Sequence, residues 1–402
     1  MKRTRLYLCL AMLLCICFSV QAQTFSGNGS GTADDPYQVT SAEQLREMHN
    51  FIGAAHEGTH FILMNDIDLD AWITANNPTE GWIPIGQSSA TGLSSFRGHF
   101  HGNYKTISNI WIDRTTYQTG LFASANMGSI ENLTVKVKEG KSVKAGNYTG
   151  ILVGDCRSRI TNCHVYGTVE GGSNIGGLAG YANAMVKDCS ADCIINKINW
   201  GDSCGGLIGG LRGNVENCTS AGEINSDGNY VGGLIGKADM GYGNTYVISY
   251  CNTSVKVNGA ATSNSVGGLL GGSDWDRSVT LKHSFATGDV VGNNYVGGII
   301  GESFAVIENC YTAGNVTGNS NVGGIMGIGP GFSNCYATGT IIGTDKVGGL
   351  AGTVSESVSN SVAASPSIEG TNAHRLVGSL TGTTASCFAL ETMTVNGATV
   401  SG

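Results

Sequence analysis

The apolar positions of this chain fall in short pieces, each closed by glycine or by a polar bend residue. Ile307-Glu308-Asn309-Cys310-Tyr311-Thr312-Ala313-Gly314 reads as one strand and its turn. Asn315-Val316-Thr317-Gly318 is the next, and Asn321-Val322-Gly323-Gly324-Ile325-Met326-Gly327 the third. Each piece is about 5–8 residues long, the length of a strand. A helical array would need long apolar stripes rich in Leu, Ala, Glu and Lys. Here Val, Ile, Thr, Asn and Ser abound beside 62 glycines, and only 13% of residues are charged, which favours short strands and tight turns.

These pieces recur. Val231-Gly232-Gly233-Leu234-Ile235-Gly236 returns at Val266–Gly271, Val296–Gly301, Val322–Gly327 and Val347–Gly352, and is preceded by copies at Ile175–Gly180 and Cys204–Gly209. The paired glycines lie 25–35 residues apart. A second column has the same period: Asn162-Cys163, Asp188-Cys189, Asn217-Cys218, Tyr250-Cys251, Asn309-Cys310 and Asn334-Cys335. His283-Ser284, Asn360-Ser361 and Ser386-Cys387 continue it, and Asn132-Leu133 and Asn109-Ile110 extend it towards the N-terminus. Such a period marks a stacked array. The expected fold is all-β: a parallel β-helix (β-solenoid) with three short strands per coil. Roughly eleven coils at the strand spacing would make a rod on the order of 50 Å long. Equivalent residues would lie above one another, so inward files are apolar or small. The Asn column would hydrogen-bond along the stack. The phrase glycines would serve either φ > 0 or a close backbone approach.

The ends differ from the middle. Residues 1–22 read as a secretory signal peptide, with Lys2, Arg3 and Arg5 before the apolar run Leu6–Val20 and a Val20-Gln21-Ala22 cleavage site. Cys15 and Cys17 lack the small preceding residues of a lipid-anchor site. Ser41-Ala42-Glu43-Gln44 reads as a helix start with Ser41 as N-cap. Leu45 and Met48 give that helix an apolar face, with which it would cover the open first coil. No such cover is expected at Val395–Gly402. The division is therefore 1–22 signal peptide, 23–105 N-terminal cap and first coils, and 106–402 repeats.

Charge and cysteine usage narrow the partners. Loss of the signal segment removes three positive charges and no acid, so the formal charge falls from −8 to −11. That argues against nucleic acid and anionic membranes. No later stretch is long and apolar enough to span a bilayer. Ten cysteines remain after residue 22. Most occupy one register, where they act as small buried hydrophobes whose parallel side chains disfavour bridging. Cys156, Cys193 and Cys204 lie off that register, and one pair among them is open to bridging.

The tandem phrase resembles the GLUG motif of bacterial exported repeat proteins, over roughly residues 147–380. The preceding region is also similar to the N-terminal part of such proteins, through Asp34-Asp35-Pro36-Tyr37, Phe61–Leu69 and Phe96–Asn103. The resemblance implies a β-helical surface protein of Gram-negative gut-type bacteria or of Firmicutes. Some members carry an IgA-peptidase region elsewhere in a longer chain. The motif carries no catalytic residues to transfer.

Candidate chemistry is sparse. His56-Glu57-Gly58-Thr59-His60 has zinc-protease spacing, but Gly53 and Gly58 oppose the helix it needs, so it reads as a solvated turn. Asp66, Asp68 and Asp70 alternate as on one face of a strand; that suits Ca²⁺, but reads better as a polar face of a capping coil. Asp274-Trp275-Asp276-Arg277 is the best acidic cluster for a lyase or hydrolase, though a plain soluble loop explains it. His283 stands in the Asn column and reads as structural. Trp200, Trp275, Tyr242 and Tyr246 fall in long segments between phrases, where rings could stack on sugars. The candidate ligand-binding set is thus Trp200, Tyr242, Tyr246, Trp275, Asp274 and Asp276, with no metal, cofactor or catalytic residue expected.

The expected function is a non-catalytic secreted or cell-surface repeat protein of a bacterium, an adhesin for a glycan or a host or bacterial surface ligand. The alternatives are a carbohydrate-active β-helical enzyme and a stalk for a further C-terminal part.

Overall fold

In a computed structural model, residues 24–86, 95–198, 201–239, 244–274 and 279–400 are described. The signal-peptide reading falls outside them. The described chain is all-β, a solenoid of about 13 turns, 54% strand and 5% helix. Two turns, through Tyr37–Val39 and His60–Leu63, stack before the first turn that the column counts, which accounts for the difference from eleven.

One middle turn shows the plan. Val231–Gly232, Ile235–Ala238, Tyr246–Ser249, Asn252–Thr253 and Lys256–Gly259 are its strands. Each pairs in parallel with its counterpart one turn on: Val231 with Val266, Ile235 with Leu270, Ile248 with Leu281, Thr253 with Ala286 and Val257 with Val290. The turn therefore has five short strands where the sequence suggests three. One extra break lies inside the glycine phrase, between Val231–Gly232 and Ile235–Ala238; the other comes at a left-handed residue. Tyr250 (φ 56°), His283 (50°), Asn309 (55°) and Asn334 (54°) bend the chain inside what reads as one strand.

This changes the meaning of the Asn column. Side-chain bonds along it occur in two places, Asn162 Nδ2 to Asn132 Oδ1 at 2.8 Å and Asn217 Nδ2 to Asp188 Oδ1 at 2.7 Å. What all its members share is positive φ, which Asn and Asp tolerate better than most residues. Replacing Asn309 by Ala should cost about 1 kcal/mol, the left-handed penalty, and replacement by Gly should cost less. Urea unfolding of the two variants distinguishes this from a hydrogen-bonded ladder, which would make Gly at least as damaging as Ala.

The column's N-terminal extension to Asn109-Ile110 is a misreading. Leu133 pairs with Lys105, and Val137 with Ile110. The bend equivalent to Asn132 is made by Asn103 and Tyr104, both left-handed (φ 51° and 57°), in a strand that shifts register after His101.

The phrase glycines are settled too. None has positive φ; they are needed for close approach. A Cβ on Gly233 would lie 2.1 Å from the Gly268 carbonyl oxygen, and one on Gly268 2.0 Å from that of Gly298.

The N-terminal end is capped as the sequence suggests. Ala42–Glu47 is a helix whose N-cap Ser41 accepts from the Gln44 N–H, and Leu45 and Met48 are buried beneath it. Gln44 Oε1 reaches back to the Thr40 N–H at 2.7 Å. Phe25, Tyr37, Phe51 and Phe61 fill the space with tilted and edge-on ring contacts.

A second helix, Asp70–Asn76, follows, so Asp66, Asp68 and Asp70 do not share one strand face. Asp68 accepts from the Asp70 N–H and Asn109 Nδ2, Asp66 from the Thr106 N–H, and Asp70 pairs with Lys138. These carboxylates brace the first turns. At the far end, Thr394–Val395 and Ala398–Thr399 form an antiparallel pair, closed by left-handed Asn396-Gly397 (φ 52° and 76°), a hairpin signal. The hairpin extends a single strand of the final turn, and Leu380, Phe388 and Leu390 of that turn remain exposed.

All ten described cysteines are free, and nine are buried. Cys156, Cys193 and Cys204 form no bridge. Burial pushes the thiols of Cys156 and Cys251 up to about 12 and that of Cys204 to about 11, so they stay protonated and unreactive.

Candidate ligand-binding face

The residues that flank each glycine phrase come together on one side of the stack. The position just after the phrase forms a vertical file: Asp155, Tyr181, Gly210, Lys237, Gly272 and Glu302 are successive register partners. The position just before the phrase is left-handed in every copy, as at Tyr230 and Tyr295 (both φ 56°), and so is Tyr148 (φ 48°), which precedes Thr149, the register partner of Ile175. Within the file, glycines alternate with long side chains. A Cβ on Gly210 would meet the Tyr181 ring at 2.6 Å, and one on Gly272 the Tyr230 ring at 2.7 Å. The two glycines are notches into which rings lean.

Tyrosines and acids dominate the face. Tyr117 lies 5.2 Å from Tyr148 at 42°, and Tyr148 lies 6.0 Å from Tyr181 at 76°. Lys237 Nζ sits 5.3 Å above the Tyr230 ring and pairs with Asp274 at 2.7 Å and Asp239 at 3.4 Å. Glu302 accepts from Ser265 Oγ at 2.9 Å. Burial raises the Asp155 carboxyl above its usual range, opposed by Arg157. Burial and then the charge of Asp239 raise the Tyr181 phenol. Burial pulls the Lys237 ammonium down, but the hydrogen bond it donates to Asp274 and the charges of Asp239 and Asp274 outweigh it, so it is held charged. The face thus carries partly buried phenols at Tyr148, Tyr181 and Tyr230, an exposed one at Tyr117, and carboxylates held near them.

A different aromatic file runs along another face. Phe285, Tyr311 and Tyr336 stack at 4.7 and 4.9 Å with planes 9° and 1° apart, and Tyr250 stacks on His283 at 5.2 Å. Rings stacked face to face offer only their edges outward. The tilted rings of Tyr117, Tyr148 and Tyr181 do not cover one another in this way, and ring faces are what a sugar stacks on.

Of the candidate residues read from the sequence, Tyr246 and Asp274 are described; Trp200, Tyr242, Trp275 and Asp276 lie outside the described residues. Tyr246 begins the strand Tyr246–Ser249 and lies over Val279. Asp274 follows the Leu270–Ser273 strand and belongs to the tyrosine–acid face through Lys237. The two sit on separate strand files. Tyr148, Tyr181, Tyr230 and Tyr295 lie outside the long segments between phrases and so fall outside the sequence candidates. Their signal is their place immediately beside the repeated phrase. His56 closes a short 3-10 turn, Ala54–His56, and packs on Phe51, while Glu57 pairs with Arg97 at 2.6 Å, so the His-Glu-x-x-His spacing is not on a helix.

No family model matches the chain. Over 211 residues, 52% of its length, the chain is 33% identical to "Halomucin" of Haloquadratum walsbyi, of which the match covers 2%. Over 166 residues it is 34% identical to a "Putative Gly-rich membrane protein" of Evansella cellulosilytica, 37% of this chain and 18% of that protein. The chain thus spans less than a fifth of the length of either relative. A solved structure described as a "putative immunoglobulin A1 protease from Bacteroides ovatus" shares 17% identity at a TM-score of 0.36, covering 93% of this chain and 81% of that one.

Proposed function

We propose that this chain is a non-catalytic repeat region of a secreted or cell-surface bacterial protein, and that its tyrosine–acid face binds glycan. The phrase repeats support placing it among GLUG-motif proteins, and relatives named for a mucin and a membrane protein support a surface location. The observation that carries the binding reading is the file at the phrase ends. Around it, the tilted rings of Tyr117, Tyr148 and Tyr181 and the Tyr230 ring under Lys237 lie on the same face as Asp155, Asp239, Asp274 and Glu302, and a sugar chain could use rings and acids together. Asp274, the best acid for a hydrolytic reading, is engaged by Lys237, which favours binding over acid–base work.

Glycan-array and mucin binding test this directly. Tyr181→Ala and Tyr230→Ala should each weaken binding about tenfold, as loss of an aromatic anchor does, while Phe285→Ala should leave it unchanged. Background binding of the unsubstituted protein, or equal loss in Phe285→Ala, overturns the assignment. Release of reducing or unsaturated ends from a polysaccharide would replace it with the enzymatic one.

A further inference from the structure

Three histidines converge on one outward patch of the first turns. His99-Phe100-His101 lies in a strand with Phe100 fully buried, so both imidazoles project to the opposite side. His60 is the register partner of His99 on the preceding turn, and their rings stack at 4.3 Å and 15°; the His60 and His101 rings are 6.3 Å apart. On the following turn, Ser129 and Glu131 lie opposite His99 and His101.

The hydrogen bonds give the patch a polarity. His101 Nδ1 is 2.6 Å from Glu131 Oε1, and His99 Nδ1 is 2.9 Å from Ser129 Oγ. An ionised carboxylate only accepts, so in the neutral imidazole Nδ1 carries the proton towards Glu131 and Nε2 is left as the atom able to bind a cation. A carboxylate behind an imidazole in this way is the arrangement that orients metal-binding histidines. Two histidines one residue apart on a strand have Cα atoms about 6.6 Å apart. Their Nε2 atoms can approach to the roughly 3.4 Å that two Zn–N bonds of about 2.0–2.1 Å span. As the side chains stand, no three His, Cys, Asp or Glu donors among the described residues meet at one point. Rotation of the half-exposed rings about χ1 and χ2 is the change required. Arg97, paired with Glu57, and Arg159, opposite Ser129, are the cations nearest in the strand files.

We propose that His99, His101 and His60 form a surface site for a late first-row divalent cation such as Zn²⁺, with Glu131 orienting His101. Imidazole suits these ions, and carboxylate-preferring Ca²⁺ or Mg²⁺ would be rejected. The site is separate from the glycine-phrase face and does not depend on the glycan reading.

Titration calorimetry of the tag-free protein with ZnCl₂ at pH 7.5 tests it. One Zn²⁺ per chain is expected. Affinity should fall at least 100-fold in H99A and H101A and about tenfold in E131Q, the usual range for a residue that orients a ligand. H283A should match the unsubstituted protein. Circular dichroism of each variant separates lost ligands from lost fold. Absence of saturable binding at millimolar Zn²⁺, or undiminished binding in correctly folded H99A and H101A, overturns the assignment.

Discussion

Gly268→Ala is expected to destabilise the solenoid by about 3 kcal/mol or more. The added methyl would lie 2.0 Å from the Gly298 carbonyl oxygen and 2.8 Å from Ala286 Cβ. Neither neighbour is the free end of a flexible side chain. Gly298 is itself pressed on Gly324, whose carbonyl a Cβ on Gly298 would meet at 2.2 Å, so relief at one turn pushes on the next. Overpacking a dense interior costs about 1–3 kcal/mol where side chains can shift, and here backbone must move. Gly58→Ala is the control. It has φ +76° and nothing within 4 Å of the added Cβ, so only the left-handed penalty of about 1–2 kcal/mol applies. Urea unfolding of the two variants should place Gly268→Ala well below Gly58→Ala. Equal midpoints would mean that the paired glycines are not the close contact between turns. Because each turn touches only its neighbours, the loss should be greatest in the exchange protection of amides near residues 266–301.

The array was legible because inward files repeat. Val231, Val266 and Val296 pair with one another in the stack, and their sequence spacing gives the period directly. The cap at Ser41–Met48 was legible because its hydrogen bonds are local. Register in the first turns was not. Asn109-Ile110 mimics the Asn–Cys pair in residue type, but the left-handed pair at Asn103-Tyr104 moves the bend upstream. Sequence reports residue type at a bend, not which of two bends is equivalent. The candidate face was hidden for another reason. Its residues are outward, so nothing forces them to be alike; Tyr181, Lys237 and Glu302 share a file but no chemistry. Only the constant phrase beside them marks the position. The histidine patch depends on pairing between residues 60 and 99, 39 positions apart in the chain, a distance outside the repeat period.

Ser361→Ala should cost about 2 kcal/mol, and Ser361→Cys clearly less. Ser361 occupies the cysteine file and is fully buried. Its hydroxyl donates to the Ser359 carbonyl at 2.7 Å and accepts from the Cys335 N–H at 3.1 Å. The same pattern holds at Ser284, which donates to the Lys282 carbonyl and accepts from the Cys251 N–H. It also holds at Cys218, whose thiol donates to the Glu216 carbonyl at 3.3 Å and accepts from the Cys189 N–H at 3.4 Å. The cause is the left-handed residue just before. It turns the next N–H out of the parallel ladder, so that N–H needs a side-chain acceptor from the turn above. Cys and Ser are small enough for the interior and carry both a donor and an acceptor, which explains their exchange within one file better than hydrophobicity does. The Ser359 carbonyl keeps a second partner in the Asn334 N–H, so alanine orphans one donor, the Cys335 N–H, at about 1–3 kcal/mol. Cysteine restores a weaker acceptor at nearly the same volume. Chemical unfolding of Ser361→Ala, Ser361→Cys and Cys218→Ser, all under reducing conditions, tests the order; Cys218→Ser should stay within about 1 kcal/mol of the unsubstituted protein, because the hydroxyl keeps both bonds. Equal stability of Ser361→Ala and Ser361→Cys would return the file to simple small-residue packing.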